Sequence, residues 1–124
     1  MISSGIILQD VKQVLGLEKD YQPFDLDVSM HINTAFTQLH QMGVGKTDET
    51  FSVVTGEETW SDFFDGLPDA VHLQNVKTYV TMYTRLLFDP PTTSFGIDAI
   101  KKVLSELEWR MNLQVEVPSL KGEL

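Results

Sequence analysis

Residues 70–111, AVHLQNVKTYVTMYTRLLFDPPTTSFGIDAIKKVLSELEWRM, contain two helical periods separated by a double proline. In the first, Val76, Tyr79, Val80, Tyr83 and Leu87 recur at threes and fours, and Val71 and Leu86 widen the stripe, so an amphipathic helix is expected over 70–88. Asp69 stands where an N-cap belongs. Asp89, Pro90 and Pro91 stop this helix, because proline lacks an amide hydrogen and disfavours helix in the residue before it. The chain is therefore expected to turn through an extended elbow that sets the angle between two helices. Thr93 or Ser94 can restart the helix. Ile97, Ile100, Leu104, Leu107 and Met111 then alternate steps of three and four over 95–111, the seam of a helix packed along another. Trp109 and Arg110 are expected to pin its end.

Upstream the same period appears twice. Ile7, Val11, Val14 and Leu15 share a face over 6–15, and Gly16 is suited to a left-handed C-terminal cap. Leu26, Val28, Ile32, Ala35, Phe36 and Leu39 predict a helix over 25–42, with Asp25 as N-cap and Gly43 as stop. Between Gly45 and Gly56 the period changes: TFSVVT at 50–55 reads as a short strand or an extended arm, and one strand makes no sheet. TWSDFF at 59–64 predicts a brief helix capped by Thr59, with Asp62 in a capping-box position and Gly66 and Pro68 ending it. Residues 112–124, with Val115, Val117, Pro118 and Gly122, lack a helical period and read as an extended tail. The expected fold is thus all-α: a small bundle of four or five helices over 1–112 with a short extended arm, followed by a C-terminal tail over 113–124.

The whole chain limits the function. Its 124 residues suffice for one domain with a real core but not for two ordinary ones. No run approaches the roughly 18 apolar residues of a membrane span. The opening MISSGIILQDVKQVLG has no basic n-region and is broken by Gln9, Asp10 and Lys12, so the protein is expected to stay in the compartment that makes it. Without cysteine there is no disulfide framework, thiolate zinc site or thiol nucleophile. A formal charge of −9 disfavours binding to phosphate backbones; acidity serves solubility, and it also suits a surface past which DNA must slide.

Catalytic motifs are not found. Gly43-Val44-Gly45-Lys46-Thr47 ends like a phosphate-cradling loop, yet His40 occupies the required upstream glycine position, and the glycines follow a helix instead of a strand. They are expected to cap a helix and loosen a loop. His31, His40 and His72 lack the spacing of a metal clamp, and Glu57, Glu58, Asp62, Asp65 and Asp69 match no calcium loop. No serine lies in a nucleophile-elbow context. The expectation is a non-enzymatic protein without cofactor or metal. The aromatic residues are more informative: a short helix carrying Trp60, Phe63 and Phe64, beside an arm carrying Phe51 and Val53, is hard to bury in so small a domain. These five residues are therefore expected to supply a subunit contact, the alternative being that they pack against the long helices of their own chain.

Segment 79–112, with RLLFDPPTTSF at 85–95 and ELEWRMN at 106–112, resembles the C-terminal half of bacteriophage head-tail connector proteins. Phe24-Asp25, His31-Ile32-Asn33, Phe36, Leu39, Gly43-Val44-Gly45 and Thr59-Trp60-Ser61-Asp62-Phe63 are similar to the same family in the same order, so the resemblance spans roughly residues 11–112. It implies a helical adaptor of which many copies form a homo-oligomeric ring beneath the portal protein. Such a ring continues the DNA channel without binding DNA specifically, and offers its far side to a further connector or tail protein. It implies a place in the virion at the head-tail junction after synthesis in the bacterial host cytoplasm, with no membrane partner. A ring needs a heterologous interface, in which one patch meets a different patch on the next copy. The residues alone also admit a small helical regulatory protein that binds a partner protein through the aromatic patch.

Overall fold

The computed structural model describes residues 5–45, 50–64 and 69–116, with side chains as far as Asn112. Its helices are α1 (Ile7–Val14), α2 (Asp25–Gln41), α3 (Trp60–Phe63), α4 (Ala70–Phe88) and α5 (Ser94–Glu116). Among the described residues there is no strand, only an isolated antiparallel bridge between Ile6 and Thr59. The fold is the expected all-α bundle, and residues 50–55 are an extended arm.

Most of the apolar stripes read from the sequence become the core, although Val14, Leu26, Val71 and Leu87, placed on those stripes, are exposed. Ile7 and Val11 of α1, Val28, Ile32, Phe36 and Leu39 of α2, and Val76, Tyr79 and Val80 of α4 are fully buried. α2 and α4 run antiparallel: the Phe24 ring, just before α2, meets that of Phe88 at the end of α4, 5.4 Å away. α5 folds back along α4 on the seam of Ile100, Leu104, Leu107 and Met111, and the Tyr79 hydroxyl donates to Glu108 Oε2 at 2.7 Å. α4 is thus the central helix, with α2 and α1 on one side and α5 on the other.

The helix ends follow local chemistry. At the end of α1, Leu17 N donates to Lys12 O and Gly16 N to Gln13 O. The pattern repeats after α2, where Val44 N donates to Leu39 O and Gly43 N to His40 O. Both are the paired bonds of a Schellman turn, with glycine at positive φ at the turn residue. α3 has the expected capping box between Thr59 and Asp62, and Asp69 Oδ1 accepts from His72 N at 2.7 Å at the start of α4. At the elbow, Thr93 Oγ1 accepts from Gly96 N at 3.0 Å, which opens α5. A Cβ on Gly96 would lie 2.7 Å from Pro91 Cβ, so the first turn of α5 presses directly on the second proline.

Two expectations are corrected. The N-cap of α2 is Phe24, without a side-chain cap; Asp25 is the first helical residue, and its carboxylate lies 2.8 Å from the ammonium of Lys12. That ammonium is fully buried, and it also donates to the carbonyls of Lys19 (3.0 Å) and Tyr21 (2.7 Å), tying the α1–α2 connection closed. A buried charge is tolerated only with such partners, and Asp25 is recruited to that task. The second correction concerns α5, which runs to Glu116 where the tail was expected from Asn112. No proline or glycine stands before Pro118, so the hydrogen-bond ladder simply continues. The expected stop at Gly66 and Pro68, the Lys46-Thr47 pair and the tail at 117–124 lie outside the described residues.

Candidate contact surfaces

The aromatic residues expected at a subunit contact lie inside the bundle. Trp60, Phe63, Phe64 and Val53 are buried and Phe51 is half-buried. Phe36 at the centre of α2 gathers them: its ring lies 5.0 Å from Phe51, 4.9 Å from Phe63 and 6.5 Å from Trp60. The premise that these side chains lack burial within one chain is therefore corrected. The arm and α3 fold over α2 and cover one another.

Polar anchors hold this cover in place. Asn33 Nδ2 donates to Val53 O at 3.0 Å while Val53 N donates to Asn33 Oδ1 at 2.6 Å, so one amide side chain satisfies both backbone groups, as a neighbouring strand would. The Glu58 carboxylate accepts from the amides of Val54, Thr55 and Gly56. Burial alone would raise its pKa, but the amides of Thr55, Val54, Glu58 itself and Gly56 outweigh that effect and bring it down to about 2. Trp60 Nε1 donates to Asp10 Oδ2 at 2.8 Å, and Lys77 Nζ lies 4.0 Å from the same oxygen and 5.8 Å above the indole ring. Gly45, at φ +90°, completes the packing: a Cβ there would stand 2.6 Å from Phe63 Cζ.

A hollow between α1 and α4 is lined by Asp10, Gln13, Trp60, Lys77, Thr78 and Thr81, and its charged groups are engaged with one another and with the indole. Tyr79 is held above the ordinary phenol range by burial first, then by its hydrogen bond to the Glu108 carboxylate and the charge of that group, and by Tyr83. It serves as a donor between α4 and α5. Among the described residues no three His, Cys, Asp or Glu side chains gather as a metal site would require, and no helix is long and apolar enough to cross a membrane.

Trp109 and Arg110, expected to pin the end of α5, are exposed on the face away from α4. The reason is angular: the seam runs through Leu104, Leu107 and Met111, and position 109 lies about half a turn from it at 100° per residue. Asp89 and Pro90 are exposed at the turn between α4 and α5, and Pro91 is half-buried against Gly96.

Two outward faces carry large apolar side chains. On α5 these are Phe95 (83% exposed) and Trp109 (64%), about 21 Å apart along the helix, with Ala99 and Val103 between them. On the other flank they are Tyr21 and Phe24 in the α1–α2 connection, and Leu26 (74%) and Met30 (58%) on α2. α2 and α5 each pack on α4 and not substantially on each other, so these two faces belong to separate flanking helices. The expectation of a contact through bulky apolar residues had a usable signal here. Met30, Phe95 and Trp109 fall off the apolar stripe of their own helix, whereas Leu26, read as part of the stripe of α2, is corrected to an outward position.

The family model described as phage connector protein matches residues 7–118, a span that begins with α1 and includes every helix through the end of α5. No curated protein and no solved structure matches the chain.

Proposed function

Since the chain belongs to the phage connector protein family, we propose that it is a structural virion protein without enzymatic activity, joining copies of itself into a ring at the head-tail junction. One side of the ring meets the portal protein, the other a further connector or tail protein, and the DNA channel runs through the middle. The carrying observation is that the family match takes in all five helices of the described residues, α1 to α5. The charge of −9 supports passage of DNA without specific binding. In this reading the chain is made in the host cytoplasm and incorporated into the virion. The body over 1–112 carries the ring contacts, and the tail over 113–124, its first turn helical to Glu116, reaches a neighbour. The elbow at Asp89, Pro90 and Pro91 fixes how α5 is presented. A regulatory protein that binds through the Trp60 patch is not favoured, since that patch is interior.

Negative-stain electron microscopy of the purified protein, alone and mixed with its portal protein, tests this reading. Rings alone, or an added annular layer on the portal, are the expected result. Absence of both across a range of protein and salt concentrations overturns it.

A further inference from the structure

We propose that the ring contact is heterologous and is made by the outward face of α5 on one copy, through Phe95, Val103 and Trp109, seated on the Tyr21, Phe24, Leu26 and Met30 face of the next copy. The assignment rests on the ring reading above. Its first support is exposure. Phe95 and Leu26 are largely exposed, and together with Trp109 and Met30 they form two apolar faces that the described residues leave uncovered.

Charge selects the pairing. Among the described residues the exposed cations are Lys19, Lys101, Lys102 and Arg110, and three of these four are on α5. On that helix they stand against exposed Asp98 and Glu106, since Glu108 is half-buried and bonded to Tyr79. The Tyr21–Met30 side carries exposed Glu18, Asp20 and Asp27 against Lys19 alone, Asp25 being paired with Lys12. Two α5 faces brought together side by side in the same direction would set Lys101, Lys102 and Arg110 against their own copies, and an antiparallel pair would leave the acidic flank of each copy without a cationic partner. Two α2 faces side by side would likewise set Glu18, Asp20 and Asp27 against their own copies. Only the unlike pair places the cation-richer face on an acidic one, in a chain where cations are scarce. The two faces belong to separate flanking helices, so one copy can engage a neighbour through each, and repetition closes into a ring if the rotation between copies allows it.

The chain contains no cysteine, which permits a direct test. Ala99→Cys places a thiol on the α5 face and Thr34→Cys places one a turn beyond Met30, both at exposed positions. Each variant, and an equal mixture of the two, is assembled alone or on the portal and treated with a short bismaleimide. The expected result is covalent dimers in the mixture and a loss of nearly all of them in either variant alone. Dimers in the Ala99→Cys variant alone, or in the Thr34→Cys variant alone, would show a like-with-like contact and overturn the assignment. Rings that form without cross-linking in the mixture would place the contact elsewhere and leave the ring reading standing. Unsubstituted protein that forms no ring, alone or with the portal, would remove both. As a second arm, Lys102→Glu with Arg110→Glu is expected to lower assembly at least tenfold at unchanged melting temperature, and Asp20→Lys with Asp27→Lys to restore it when the two variant chains are mixed. Assembly that is indifferent to both changes contradicts the charge pairing.

Discussion

At Trp60 the indole is buried, hydrogen-bonded to Asp10 and overlain by Lys77. Trp60→Ala should therefore act on stability, with a loss of about 3–5 kcal/mol in urea unfolding from the cavity and the lost contacts. A variant with unchanged stability and impaired assembly would return Trp60 to the subunit contact. Glu58 acts through charge. Its folded pKa of about 2 lies below the ordinary 4.5, so the stability it contributes is fully present above about pH 4.5 and is lost as pH falls through about 2. Glu58→Gln should flatten that part of the acid limb and cost about 1–2 kcal/mol at neutral pH, discounted because the carboxylate is only partly shielded from water. An acid limb identical in both proteins would show that the three amides of the arm do not depend on this charge.

The elements are held by their ends as much as by their faces. Two Schellman turns, a capping box and the Asp69 cap give α1 to α4 sharp boundaries, and the double proline separates α4 from α5. At the elbow the closest approach is between Gly96 and Pro91. Gly96→Ala is a favourable change for an isolated helix, by about 1 kcal/mol. Here the new methyl group would meet a rigid ring, so the net outcome expected is a loss of about 1–2 kcal/mol and a lower melting temperature. If Gly96→Ala instead raises the melting temperature, the elbow is not tightly packed. The same geometry would then have little hold on the direction of α5, and alanine at both Pro90 and Pro91 should leave assembly unchanged.

At the scale of the whole molecule, α4 is shared and α2 and α5 are flanks, each with one buried and one open side. That arrangement suits a repeating unit more than an isolated one: a central helix carries stability, and two unlike faces remain for neighbours. Charge adds a second property. With 18 acidic side chains against nine basic ones, the protein should not be retained with duplex DNA at low salt, where phosphate binding is strongest. Salt-sensitive retention of the purified protein in a filter or mobility-shift assay would contradict a channel through which DNA slides.

Most of the bundle was legible in the sequence because periodicity and helix stops are local. A stripe at threes and fours, a glycine at a left-handed turn and a proline without an amide act within a turn or two of themselves, whatever the rest of the chain does. Hence the helices, the arm, the caps at Gly16, Gly43, Thr59 and Asp69 and the break at Pro90-Pro91 are where the residues imply, apart from the N-cap of α2 and the end of α5. Burial is different, since it depends on the surface that other segments supply. Trp60 and Trp109 both sit on helices in mixed polar and apolar surroundings. One is enclosed because Asp10, Phe36 and Lys77 arrive from distant parts of the chain, and the other is open because its helix packs on α4 and, among the described residues, no helix packs substantially on its outer face. For the same reason Lys12, a polar interruption in the first apolar stripe, became a buried anchor only once the carbonyls of Lys19 and Tyr21 and the carboxylate of Asp25 closed around it. The amino acids determined where most helices begin and end; the tertiary structure recruited Asp25 from cap to ion pair and decided which aromatic side chains the helices hide and which they leave for a neighbour.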